Sequence, residues 1–147
     1  MRTSARGWAS IWRGRERGAH AVIGSALSSG LVKIDRSGLV EIEFGSDAEL
    51  RALNARFRGY DKATNVLAFP NPQTPFGSII LAYDVVAREA RAQGKAFAHH
   101  TKHLILHGFL HLLGYDHETV MERRLMERLE VRILEDMGIG NPYLVAK

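Results

Sequence analysis

The sequence predicts an α+β domain in which a small mixed β-sheet of three to four strands packs against about five helices. Three observations support this class. Short apolar runs have the length of strands, helical periodicity lies before, between and after them, and one helix is apolar on almost every side. A chain of 147 residues is also the usual size of a single domain.

The strands are predicted from three short segments. Residues 39–44 alternate apolar and acidic side chains, which is the period of a half-buried strand. Residues 65–69 form a short apolar run that ends at Pro70. Residues 77–83 are the most apolar run, so we expect them to form a central strand.

The helices are predicted from periodicity and from capping signals. Ser46 and Glu49 have the spacing of a capping box, and Asp84 is a candidate cap for a later helix. Five helices are predicted, at residues 18–29, 46–56, 84–94, 100–113 and 118–137. The fourth carries apolar side chains nearly all around its axis, so it should be largely buried.

This buried helix also carries a histidine motif. His107 and His111 are four residues apart and therefore lie on one helix face. Gly114 can end the helix, and the chain can then turn so that His117 supplies a third nitrogen. Three protein ligands with an open fourth position are typical of a catalytic zinc. The alternative, a packed helix with incidental histidines, is disfavoured by three histidines around a glycine stop.

Zinc peptidases use the same histidine spacing, but they need a glutamate directly after the first histidine as general base. Here that position is Gly108, which has no side chain. The sequence therefore predicts the metal ligands without the peptidase base, and it points away from peptide hydrolysis.

Composition limits the other possibilities. The absence of cysteine excludes disulfides and thiolate ligands, and it fits a reducing, cytoplasmic compartment. No apolar run approaches the roughly 20 residues of a membrane span, so no membrane partner is expected. The net charge of +4 lies entirely within residues 1–20. We expect residues 1–17 to be a basic N-terminal arm, disordered or arising from a misassigned start, and residues 18–147 to be the domain.

Several other polar residues are candidates for the site. Arg58 is expected in a loop, where a fixed guanidinium can bind a phosphate, with Arg56 and Lys62 as neighbouring candidates for nucleic-acid binding. A solvated run of charges explains these three equally well. Asp116 is either a hydrogen-bond partner for a ligand imidazole or a turn residue. His103 shares the face of His107 and is expected to hydrogen-bond or pack.

The motif from His107 to His117 resembles the signature of the YbeY family of bacterial endoribonucleases. The resemblance extends to Asn54 with Arg58-Gly59, to Thr-Asn-Val-Leu-Ala-Phe-Pro at residues 64–70, to Met126-Glu-x-Leu-Glu130 and to Pro142-Tyr143. It implies a zinc-dependent nuclease specific for single-stranded RNA. Such an enzyme acts in ribosomal RNA maturation, including the 3′ end of 16S rRNA, and in ribosome quality control.

The resemblance also implies the site residues and the partners. It assigns one Zn²⁺ per chain to His107, His111 and His117, and a catalytic role to Arg58. Ribosomal RNA and the ribosome or its small-subunit proteins are the implied partners, and the oligomeric state stays open. Two alternatives also stay open: a non-catalytic ribosome-associated factor with a structural zinc, and a metal-dependent hydrolase of another bond.

Two features depart from the family pattern. Members usually begin with an extra strand, and residues 1–17 do not have the pattern of one. Ser78 replaces the aspartate that commonly follows the glycine at position 77, so this chain has a hydroxyl where most members have a carboxylate.

Overall fold

The computed structural model describes residues 2–3, 8–12, 19–31, 38–58, 64–70, 76–115 and 117–144. These residues form five strands and five helices. The strands are β1 (Arg2–Thr3), β2 (Trp8–Trp12), β3 (Gly38–Gly45), β4 (Val66–Pro70) and β5 (Phe76–Ala82). The helices are α1 (Ala19–Ser28), α2 (Asp47–Arg58), α3 (Tyr83–Ala92), α4 (Phe97–Leu112) and α5 (Val120–Asp136).

The strands form one mixed sheet in the order β1-β2-β3-β5-β4. The pairs β2–β3 and β3–β5 are parallel, whereas β1–β2 and β4–β5 are antiparallel. Strand β5 therefore has a partner on each side, as expected for the most apolar run. The α+β class, the five helices and the mixed sheet are confirmed.

The sheet has five strands, more than the three to four expected, because the N-terminal residues contribute two. Trp8 pairs with Gly38 and Trp12 with Ile42, so β2 lies along β3 over its whole length. The expectation that residues 1–17 contain no strand is wrong. Strand formation depends on pairing partners more than on local pattern, and β2 is paired on both sides, by β1 and by β3. The extent of the domain along the chain stays a prediction.

Helix boundaries differ from the predicted ones at several points. The capping box of α2 is present, since Ser46 Oγ accepts from Glu49 N at 3.1 Å. This helix extends to Arg58, so Arg58 ends a helix and does not lie in a loop. Asp84 does not cap α3, which begins at Tyr83 without a side-chain cap. Helix α4 begins at Phe97, three residues earlier than expected.

Two glycines bring α4 close to the sheet. A Cβ atom on Gly108 of α4 would lie 3.1 Å from Ile79 Cγ2 of β5. A Cβ atom on Gly77 of β5 would lie 2.9 Å from Leu112 Cδ1 of α4. Both distances are shorter than ordinary carbon contacts. The missing side chains thus let the helix pack directly on the strand, with Ile79 and Leu112 filling the space.

The core lies between the sheet and the helices α1, α4 and α5. Its largest fully buried side chains include Ile23, Ile42, Ile79, Phe109 and Leu110. Most of α4 is buried in this core, as the sequence predicts, so the helix is a rigid support for the side chains that it carries. No helix in the described part of the chain is long and apolar enough to cross a membrane.

Candidate metal centre

The structure brings the three histidines of the motif together. His107 and His111 lie one turn apart on α4, and His117 follows the end of that helix. One ring nitrogen from each residue lies within 4.8 Å of the others. The ring centroids are 4.8 Å apart for His107 and His111, 4.9 Å for His111 and His117, and 5.5 Å for His107 and His117. A single ion could be reached by all three imidazoles.

The turn that returns His117 to the helix depends on Gly114. This residue has a φ of 102°, a conformation that favours glycine. Around it, Tyr115 N donates to Leu110 O at 3.0 Å and Gly114 N donates to His111 O at 3.0 Å. These two bonds are the Schellman motif that ends a helix. The turn satisfies the last carbonyls of α4 and reverses the chain beside His111.

A second fixed element follows immediately after His117. Thr119 Oγ1 accepts from Glu122 N at 3.1 Å, and Glu122 Oε1 accepts from Thr119 N at 3.2 Å. This capping box defines the start of α5. His117 is therefore held in a short segment between the end of one helix and the start of the next.

His107 is oriented by a buried carboxylate on α5. Its Nδ1 lies 3.2 Å from Glu130 Oε2, and the Glu130 side chain is 0% exposed. Because an ionised carboxylate can only accept, Nδ1 of His107 must carry the proton. The lone pair of Nε2 is then available to a metal ion. Imidazole nitrogens are ligands that zinc prefers, so the donor set fits that ion.

Glu130 accepts two further hydrogen bonds. His103 Nε2 lies 2.9 Å from its Oε1, and the Tyr143 hydroxyl donates to the carboxylate, 2.5 Å from Oε1 and 2.9 Å from Oε2. Burial acts to raise the pKa of Glu130, but the hydrogen bonds from His103 and His107 outweigh it and lower the pKa to about 2. Burial and the neighbouring carboxylate raise the pKa of Tyr143, so its hydroxyl stays protonated.

The predicted role of His103 as a hydrogen-bonding residue is confirmed, whereas Glu130 was missed. The acidic and basic residues that alternate along α5 are typical of a solvated helix face, and charge alone does not distinguish Glu130 from them. Its position carries a signal nonetheless, because Met126, Leu129 and Ile133 mark the buried stripe of α5 and Glu130 lies within that stripe. A glutamate among apolar positions at helical spacing is a buried carboxylate, and it needs partners.

The other candidate residues are only partly described. Arg58 is the last residue of α2, and its side chain lies outside the described part. Arg56 is exposed on the same helix. Asp116 and Lys62 lie outside the described residues, so their roles stay predictions.

Comparisons with known proteins agree with this architecture. A family model described as Endoribonuclease YbeY matches residues 15–138. An endoribonuclease YbeY from Chelativorans sp. strain BNC1 is 55% identical, over 71% of this chain and 69% of its own. One from Bordetella avium is 47% identical, over 92% of this chain and 85% of its own. The solution structure of a Thermotoga maritima protein has the same fold, with a TM-score of 0.58 at 24% identity over 89% of this chain and 91% of its own. The chain belongs to the YbeY family of endoribonucleases.

Proposed function

We propose that this protein is a zinc-dependent endoribonuclease that cleaves single-stranded RNA. The observation that carries the proposal is the convergence of His107, His111 and His117, whose ligand nitrogens lie within 4.8 Å of one another. Three histidines leave a coordination position for substrate or water, which is the arrangement of a catalytic centre. Family membership supports RNA as the substrate class.

The metal and the protein have separate tasks in this proposal. Zinc, when bound, supplies a Lewis acid that can polarise a phosphoryl oxygen or lower the pKa of a coordinated water. His107 and His111 hold their nitrogens on a buried helix, and His117 closes the set from the turn. Glu130 keeps the proton of His107 on Nδ1, away from the metal side. The protein thus fixes the geometry before the substrate arrives.

Arg58 is proposed to act on the scissile phosphate. A guanidinium binds phosphate bidentately and offsets the negative charge that grows during the reaction. Arg56, which is exposed on the same helix, and Lys62 are proposed to hold neighbouring phosphates of the RNA strand. Asp116, beside His117 in the chain, is proposed to accept a hydrogen bond from a ligand imidazole.

The packing of Gly108 favours a phosphodiester over a peptide bond as the substrate. In zinc peptidases this position carries the general base. Here a side chain would begin 3.1 Å from Ile79 Cγ2, in the direction of the sheet. The close approach of α4 to β5 thus requires glycine at the position where peptide hydrolysis requires glutamate.

The resemblance of the motifs supports a more specific role. We propose ribosomal RNA as the substrate, including the 3′ end of 16S rRNA, in ribosome maturation and quality control. The ribosome or its small-subunit proteins would then be the partners, and the cytoplasm the compartment. Cleavage of a ribosomal precursor RNA at defined positions by the purified protein is the direct test of this part.

The catalytic proposal is tested by metal analysis together with RNA cleavage. Protein treated with a chelator should not cut an end-labelled single-stranded RNA, and one equivalent of zinc should restore cutting, with the matched duplex cut much more slowly. His111→Ala should lose most of the bound zinc and the activity. His99→Ala, an exposed histidine of the same helix, is the control and should retain both. Cleavage that persists in metal-free protein would refute the proposal.

A further inference from the structure

We propose that Glu130 is a positioning residue of the metal centre. Its carboxylate selects the nitrogen of His107 that faces the ion, and it keeps His103 from becoming a fourth ligand. This inference rests on the proposed metal binding by His107, His111 and His117. It goes further by explaining why three of the neighbouring histidines, and not four, would hold the ion.

The first argument is the cost of burying Glu130. The side chain is 0% exposed, and an unpaired charge in the interior is strongly unfavourable. Three donors offset that cost, namely His103 Nε2 at 2.9 Å, His107 Nδ1 at 3.2 Å and the Tyr143 hydroxyl at 2.5 Å. A leucine at this position would continue the apolar stripe of α5 without any such requirement. The carboxylate therefore has a task that packing does not supply.

The second argument concerns the proton of His107. A neutral imidazole carries its proton on Nδ1 or on Nε2, and only the nitrogen without it can bind a metal. The contact of Nδ1 with Glu130 selects the form whose Nε2 is free. Without the carboxylate both forms would be populated, and zinc could bind only the fraction of molecules whose His107 proton lies on Nδ1.

The third argument concerns His103. It lies one turn before His107, and the two ring centroids are 6.4 Å apart. A fourth imidazole on the ion would close the coordination position that a substrate needs. Because His103 Nε2 is directed to Glu130, this nitrogen is not available to the ion. Glu130 thereby keeps the number of histidine ligands at three.

Tyr143 holds the carboxylate from the other side. Its ring stands edge-on to that of His103, with centroids 5.3 Å apart and an angle of 84° between the planes. Its hydroxyl donates to the Glu130 carboxylate and lies 2.5 Å from Oε1 and 2.9 Å from Oε2, so it contacts both oxygens that the histidines contact. The C-terminal segment thus fixes the rotamer of Glu130, and through it the ring of His107.

The test compares Glu130→Gln with Glu135→Gln, which changes an exposed glutamate of the same helix. Zinc affinity is measured by competition with a chromophoric chelator. We expect the first variant to bind zinc about 10–100-fold more weakly, the usual effect of losing such a partner. The control should bind zinc as the parent does.

A spectroscopic readout separates positioning from a merely structural role. In metal-free parent protein labelled with ¹⁵N, ring-nitrogen NMR should show the His107 proton on Nδ1, and Glu130→Gln should show both forms. The absorption spectrum of cobalt-loaded protein should be the same for the parent and for His103→Gln.

The outcomes distinguish the two proposals. A parent that binds no metal would overturn the proposed function and this inference with it. A parent that binds zinc while Glu130→Gln binds it equally well would overturn this inference alone. If the variant does not fold, the parent spectrum decides, since a His107 proton on Nε2 contradicts the proposed role.

Discussion

Placing a glutamate at Gly108 gives the histidine motif the residue that a zinc peptidase has at this position. We expect Gly108→Glu to yield no peptidase and a less stable protein. A Cβ atom at this position would lie 3.1 Å from Ile79 Cγ2, so the side chain would start toward β5. The carboxylate would be forced toward the packed layer between α4 and the sheet, where the atoms nearest to the new Cβ all belong to the apolar side chain of Ile79.

The expected loss in the free energy of unfolding has two parts. Gly108→Ala adds the Cβ atom alone; overpacking costs about 1–3 kcal/mol, and the better helix propensity of alanine returns about 1 kcal/mol. Gly108→Glu adds a buried unpaired charge, which costs roughly 3 kcal/mol or more. The total of about 3–5 kcal/mol corresponds to a thermal midpoint lower by roughly 6–20 °C for a chain of this size.

Thermal unfolding followed by circular dichroism, with and without zinc, measures this loss, and a labelled peptide library tests for peptidase activity. Gly24 provides the matched control, since it lies within α1 and a Cβ atom there would meet nothing within 4 Å. Gly24→Ala and Gly24→Glu should keep the midpoint of the parent or raise it. A Gly108→Glu protein with the parental midpoint, or one that releases peptide products, would refute the reasoning.

Two further predictions concern Arg58 and His100. Arg58→Ala should keep the zinc content and change stability by no more than about 0.5 kcal/mol, yet slow RNA cleavage by about 10²–10³-fold. Arg58→Lys should recover part of the rate, and a parental rate in the alanine variant would move the phosphate role to Arg56 or Lys62. Burial lowers the pKa of His100 from its ordinary value of 6.5, and the nearby His103 and Lys95 lower it further. The hydrogen bond to Glu89 and the charge of Glu89 act in the opposite direction but do not restore the pKa. The unfolded chain therefore binds more protons, so stability should fall as pH drops below about 6.5, and His100→Gln in metal-free protein should flatten that decline; an unchanged slope would contradict the argument.

The histidine cluster could be predicted from sequence because its signals are local. His107, His111, Gly114 and His117 lie within one helix end and one turn, where helical geometry alone determines which side chains meet. The same holds for the capping box at Ser46, which depends on a residue three positions later. Local geometry of this kind is visible in a single sequence.

The remaining features depend on contacts between distant parts of the chain. Glu130 contacts His107 although the two residues are 23 positions apart in the chain. The pattern of α5 does not indicate which element packs on its buried stripe. Strand β2 exists because β3 pairs with it, and its five residues have no strong pattern of their own. Helix α2 continues to Arg58. Because Gly59 follows directly in the sequence, local propensity favours an earlier helix end.

Glu130 and Tyr143 follow the three histidines in the chain, and this affects the order in which the centre is made. All three histidines are synthesised before either of these residues. At roughly 5–20 residues per second, synthesis separates His117 from Tyr143 by about one to five seconds. A nascent chain that has not reached residue 130 contains the whole histidine motif but lacks the carboxylate that contacts His107. The buried support of the metal centre is thus completed after the ligands themselves, and such a chain has only the ligands.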